Sequence, residues 1–127
     1  MTAPTLDEQG LPRRYPFNPD WELTPRQVRD LLASDDADIV LIDCRTEQEA
    51  AVARIDGAVL IPLQQVRQRM DDLEELADRR IVIHCHHGMR SLKMTAMLRQ
   101  AGIEDVWSMA GGIDLWAIDI APGMPRY

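Results

Sequence analysis

The chain has 127 residues, 46% of them hydrophobic and 28% charged, which is one domain's worth of core and excludes a disordered chain. Its net charge of −7 argues against nonspecific nucleic-acid binding, which needs a basic surface, so no nucleic-acid partner is expected. Two cysteines, Cys44 and Cys85, are too few for a disulfide framework, and no apolar run approaches membrane-spanning length. Met1 to Asp7 lacks the apolar core of a signal peptide, so a cytoplasmic location with free thiols and no membrane partner is expected.

Four of the eight prolines (Pro4, Pro12, Pro16, Pro19) fall within residues 1–20, a density that forbids a regular helix or a central strand. This segment reads either as an extended arm anchored on the domain by Tyr15 and Phe17 or as a loose leader. The domain proper is expected over residues 21–121. It opens with a helix whose N-cap is Thr24, with Pro25 at its first position, Gln27 completing a capping box, and an apolar stripe of Val28, Leu31 and Leu32. Ile39 to Ile42 is a continuous branched run ending at Asp43, the pattern of a strand buried on both faces. Thr46 and Glu49 form a second capping box and predict a short helix. After a turn at Gly57, Ala58 to Ile61 predicts another strand, stopped by Pro62. Leu63, Val66 and Met70 share one helical face, and Leu73 and Leu76 continue the pattern. Ile81 to Ile83 predicts a third strand, Leu92 to Ala101 a helix ended by Gly102, and Asp105 to Met109 a fourth strand. Gly111 and Gly112 then lead into a short amphipathic segment with Ile113, Trp116 and Ile118. Residues 122–127 form a proline-rich tail. Short buried strands alternating with helices predict an α/β fold: a mainly parallel central sheet with helices on both faces. Function in such folds gathers at the carboxyl ends of the strands, where Asp43 and Cys85 fall.

The chemistry concentrates in His84-Cys85-His86-His87-Gly88-Met89-Arg90-Ser91, between a strand and a helix, which holds all three histidines of the chain. Between positions 79 and 103 lie five basic residues (Arg79, Arg80, Arg90, Lys93, Arg99) and no acidic one, an asymmetry that points to an anionic ligand. A cysteine at a helix N-terminus feels unpaired backbone N–H groups, which favour the nucleophilic thiolate, and Arg90, His86 and His87 can add to that field. Gly88 lets the loop turn tightly enough to direct amides inward as an anion cradle. The competing description is an inert buried cysteine at the end of a strand.

This stretch resembles the active-site loop of rhodanese-type sulfurtransferases, in which a cysteine opens a six-residue loop before a helix. Leu41-Ile42-Asp43-Cys44-Arg45 resembles the family's Leu-Ile-Asp-Val-Arg strand motif, and Glu49 to Ala58 its Glu-Tyr-x-x-Gly-His-Ile-Pro-Gly-Ala segment. Ile61-Pro62-Leu63 follows, and Val106 to Trp116 resembles the late motif with paired glycines and a tryptophan. The match spans roughly positions 21–118. Ala53 and Arg54 replace the usual Gly-His, Asp56 the usual Pro, and Cys44 the usual Val. The resemblance implies a single rhodanese-like domain and a sulfurtransferase with Cys85 as catalytic nucleophile and His86, His87, Gly88, Met89 and Arg90 as the substrate-binding loop. Asp43 and Arg45 would support the loop from the neighbouring strand end. It implies no cofactor beyond a covalent persulfide on Cys85, a small anionic sulfur donor such as thiosulfate, and cyanide, a thiol or a protein as acceptor.

Two other functions compete. Cysteine-loop phosphatases and arsenate reductases place five residues between Cys and Arg, whereas four (His86 to Met89) intervene here, which favours sulfur over a tetrahedral oxyanion. A non-catalytic binding or sulfur-relay module is the rival from another class, although such modules often lose the cysteine. Cys44 reads as a strand-core residue or, less directly, as a partner for a disulfide with Cys85. Contiguous His84 to His87 point in alternating directions and lack a second ligand cluster, so no metal is expected. Trp21, Trp107 and Trp116 read as packing residues, and Met89, Met94 and Met97 as packing or a soft rim to the site.

Overall fold

Residues 4–35 and 38–127 are described by a computed structural model of the chain. Five parallel strands form one sheet in the order β1-β5-β4-β2-β3: β1 Glu22–Leu23, β2 Ile39–Asp43, β3 Val59–Leu60, β4 Arg80–His84 and β5 Val106–Met109. The helices are α1 Pro25–Ala33, α2 Glu47–Val52, α3 Met70–Glu74, α4 Met89–Gln100 and α5 Gly112–Asp119, with a 3-10 turn at Leu63–Gln65. Alternation along the central strands assigns the two faces. Val40, Ile42, Cys44, Ile81, Ile83 and Cys85 form one core cluster with Val66, Leu73, Met94 and Leu98 from the turn region, α3 and α4. Leu41 and Val82 form the other with Val28, Ile113 and Trp116 from α1 and α5. Side chains thus leave each strand to opposite sides, and both sides are covered, which is why β2 and β4 read as unbroken apolar runs.

Both capping boxes form. Thr24 Oγ1 accepts from Gln27 N at 3.2 Å while Gln27 Oε1 accepts from Thr24 N at 2.8 Å. Thr46 and Glu49 do the same at 3.2 and 3.3 Å. Each ties off helix N–H groups that would otherwise lack partners.

The structure departs from expectation in four places. β1 has only two residues, too short for any periodicity, and is held by pairing with β5. The apolar pattern over residues 63–76 is not one helix; it divides into the 3-10 turn and α3 yet keeps Val66 and Leu73 fully buried on one side. The helix expected from Leu92 begins three residues earlier, at Met89, with Gly88 as its cap. On α1, Val28 is fully buried but Leu32 is 39% exposed.

The proline-rich N-terminal segment, where described, lies on the domain. Leu6 bridges Pro12, and Leu6, Leu11, Tyr15 and Phe17 pack with Ala110 and Leu115 at the start of α5. No described helix is long and apolar enough to cross a membrane.

Candidate active site

Cys44 and Cys85 occupy consecutive positions beyond the last paired residues of β2 and β4. Asp43 and His84 are register partners, and Cys44 N donates to His84 O at 3.0 Å, which brings the two sulfurs together on the same face. Both cysteines are free and 1% exposed.

From Cys85 the chain turns back on itself before α4. Gly88 adopts φ +110°, in the left-handed region that glycine enters without strain, and this turn aims its amide at the sulfur. Gly88 N donates to Cys85 Sγ at 3.1 Å and Ser91 N at 3.4 Å, and Ser91 Oγ lies 3.5 Å from the sulfur. Ser91 Oγ is itself positioned by Gly88 O at 3.1 Å and Ser108 Oγ at 2.7 Å, which ties β5 to the loop. The Cys85 thiol is pulled down from 9.0 to about 4: a hydrogen bond from Cys44 is the largest cause, burial opposes it, and Ser91 Oγ, Ser91 N and Gly88 N reinforce it. Cys44 is pushed up correspondingly, by the same hydrogen bond and by burial. These influences favour the thiolate of Cys85 at neutral pH and keep the neighbouring Cys44 protonated.

The outer wall of the loop is fixed by the start of α5. Ile113 N donates to Cys85 O at 2.9 Å and Asp114 N to His86 O at 3.1 Å, so two first-turn amides of α5 hold the loop's own carbonyls. Here the paired glycines of the late motif find their reason. A Cβ on Gly112 would collide with the backbone of His86 and come within 2.6 Å of Cys85 O. Tyr15, from the N-terminal arm, accepts from Gly111 N at 2.9 Å and donates to the buried Glu22 carboxylate at 3.1 Å. Its pKa is raised to about 12, chiefly by burial.

Arg90, at the far end of the loop, makes a two-pronged pair with Glu49: Nη1 to Oε1 at 2.6 Å and Nη2 to Oε2 at 2.9 Å. Glu49 accordingly stays ionised far below the usual carboxylate range, Arg90 being the largest cause. One residue therefore caps α2 and anchors the loop. Tyr127 donates to the same carboxylate at 2.6 Å.

Asp43 and Arg45 form a fully buried pair on the opposite side of β2. Arg45 Nε and Nη2 donate to Asp43 Oδ1 and Oδ2 at 2.9 and 2.7 Å, and Nη2 also donates to Ala53 O at 2.7 Å. They meet the loop only through intermediaries: Arg45 reaches Tyr127 Oη at 3.0 Å, and Asp43 lies 4.0 Å from His84 Nε2. Burial keeps His84 and His86 below the ordinary histidine range, so neither lends charge to Cys85 at neutral pH. His87 is exposed beside Asp114, and Met89 is 82% exposed at the rim. Met94, by contrast, is core.

The basic window needs correction. Arg79 and Arg80 sit at the opposite end of β4 from Cys85, paired with Asp38 and Asp105. Arg99, near the end of α4, is stacked between Trp21 and Trp107 at 4.4 and 4.9 Å. Charges adjacent in sequence are separated because strand and helix carry them away from the loop, and of these four arginines Arg90 is the one that reaches it.

Sequence reasoning missed Ser91, Ser108, Glu49 as the Arg90 partner, Tyr15 as a support, and Tyr127. Ser91 had a signal, since it lies in the first turn of the helix that receives the cysteine. Tyr127 had none.

A family model for the rhodanese-like domain matches residues 24–119. The chain belongs to the rhodanese-like domain family. A sulfurtransferase of Allochromatium vinosum is 37% identical over 84 residues, covering 66% of this chain and 77% of its own length. "Probable adenylyltransferase/sulfurtransferase MoeZ" of Mycobacterium tuberculosis is 36% identical over 105 residues, and this chain spans about a quarter (26%) of its length. Among solved structures, the human single-domain sulfurtransferase TSTD1 is 28% identical with a TM-score of 0.66, over 77% of this chain and 96% of that one. The rhodanese-like match covers every element that holds the Cys85 loop except the N-terminal arm, β1 and the tail that carries Tyr127.

Proposed function

We propose that this rhodanese-like protein is a sulfurtransferase that carries sulfane sulfur as a persulfide on Cys85. The observation that supports the reading is the Cys85 sulfur facing two backbone amides, Gly88 N at 3.1 Å and Ser91 N at 3.4 Å. Relatives named as sulfurtransferases support it as well.

In the cycle the Cys85 thiolate attacks the outer sulfur of thiosulfate. The S–S bond of the donor breaks, sulfite leaves with the bonding pair, and Cys85–S–S⁻ remains. Cyanide or an acceptor thiolate then attacks the terminal sulfur, and Cys85 leaves as thiolate. No proton or external oxidant is needed with cyanide, which departs as thiocyanate. The amides of the loop are preorganised for the anionic sulfur, so little reorganisation accompanies transfer. Arg90, engaged by Glu49, fixes the end of the loop rather than standing free to grip a tetrahedral phosphate, which further disfavours phosphatase chemistry.

Intact mass of the protein with thiosulfate and then cyanide tests the cycle. Wild type should gain one sulfur and lose it again, and Cys85→Ser should do neither. Thiosulfate-dependent gain in the Ser variant, or Cys85-dependent phosphate-ester hydrolysis in place of sulfur loading, would overturn the assignment.

A further inference from the structure

The C-terminal residues make contacts that the chemistry above does not use. Met124 packs against the core cluster beneath α1 and α5, and beyond it the chain crosses to the active-site loop. Arg126 pairs with Asp114 through Nε at 2.8 Å and Nη2 at 3.3 Å. The Tyr127 ring lies parallel to His86, 6° apart in plane with centroids separated by 3.9 Å. Its hydroxyl meets Glu49 and Arg45. Tyr127 therefore spans the loop: it touches the residue after Cys85 at one end and the partner of Arg90 at the other. Beside it a surface cavity of about 380 Å³, lined by His87, Asp114, Arg126 and Tyr127, has room for a small molecule. The outer edge of the span faces solvent: Tyr127 is 42% exposed, and Arg126 is joined by an ion pair of the weak surface kind.

We propose that Tyr127, steadied by Arg126, sets the size of the acceptor that reaches Cys85. Small thiophiles enter beside the ring, and a thiol carried on a protein reaches the sulfur only when residues 126–127 swing out. This rests on the sulfurtransferase reading, so the test includes a measurement that does not depend on sulfur transfer.

The full chain is compared with the Arg126→Ala/Tyr127→Ala double variant and with Tyr127→Phe. Alkylation of Cys85 is followed by iodoacetamide and by a maleimide carrying a polymer chain, and sulfur transfer from thiosulfate to cyanide and to reduced thioredoxin. If the span is open about a tenth of the time, the double variant should react about tenfold faster with the bulky reagent and the protein thiol. Rates with iodoacetamide and cyanide should change by a several-fold smaller factor than those with the bulky reagents, because small reagents depend less on opening. Tyr127→Phe keeps the stacked ring and should stay nearer wild type. Equal factors for small and large reagents would overturn the size limit, whether or not sulfur moves. Altered alkylation selectivity without sulfur transfer in any form would uphold the size limit and sink the transferase reading instead.

Discussion

Cys44→Val removes the largest influence on the Cys85 thiolate while substituting an apolar side chain in a buried apolar setting. A hydrogen bond to a charged group contributes roughly 1.5–3 kcal/mol, and a thiol is a weak donor, so about 1.5 kcal/mol is the fitting end of that range. At 1.36 kcal/mol per pKa unit, the loss should move Cys85 up by about one unit. From about 4 in the native chain, the midpoint would rise toward ~5. Both proteins remain thiolate at neutral pH, so the neutral rate should not fall. A more basic thiolate is the better nucleophile, which predicts a plateau up to about threefold higher. The assay is the rate of Cys85 alkylation by iodoacetamide across acid pH, with the modified site located by peptide mass. Cys44→Ser keeps a donor and should hold the midpoint close to wild type. An unmoved midpoint in Cys44→Val would refute the donor role of Cys44. A lowered plateau would mean that the substitution had disturbed the loop instead.

Asp43→Asn leaves the Arg45 guanidinium buried without its counter-charge and should cost about 3–5 kcal/mol in urea unfolding; a loss under ~1 kcal/mol would show that the pair is dispensable. Cys85 also links stability to pH. Its folded pKa lies below the unfolded value, so its contribution is complete above about pH 9 and is lost as pH falls toward about 4. As pH is lowered between these limits, the unfolding free energy of wild type should therefore fall relative to that of Cys85→Ser; a pH-independent difference would refute the linkage.

The sheet was legible because β2 and β4 bury both faces, so their composition alone marks them. Capping boxes at Thr24 and Thr46 placed two helices for the same local reason. β1 escaped because Glu22 and Leu23 become a strand only through the pairing offered by β5. Cys85 and Gly88 could be read from a contiguous loop, since a nucleophile and its turn are local features. Glu49 could be read as a cap but not as the partner of Arg90, 41 positions away. Tyr127 is farther still from pattern, because its neighbours come from two distant segments, Arg45 and Glu49 from one and His86 from the other. The arginine window shows the opposite failure, where closeness in sequence suggested a closeness in space that β4 and α4 undo.

Those displaced arginines bear on the open margins of the sheet. Both margins of the sheet, β1 and β3, have only two residues, so β5 and β2 extend beyond them with one side of the backbone uncovered. Alternate carbonyls of a parallel strand face opposite sides; Asp105 O and Asp38 O face β4, so Val106 O and Ile39 O face outward. Arg99 donates to Val106 O at 2.8 and 3.2 Å, and Arg79 to Ile39 O at 3.1 Å. A guanidinium thus occupies each open carbonyl and sets a positive charge where another chain's strand would dock. Two of the five basic residues that stand out in the sequence, Arg79 and Arg99, thus blunt the margins of the sheet instead of serving the cysteine loop.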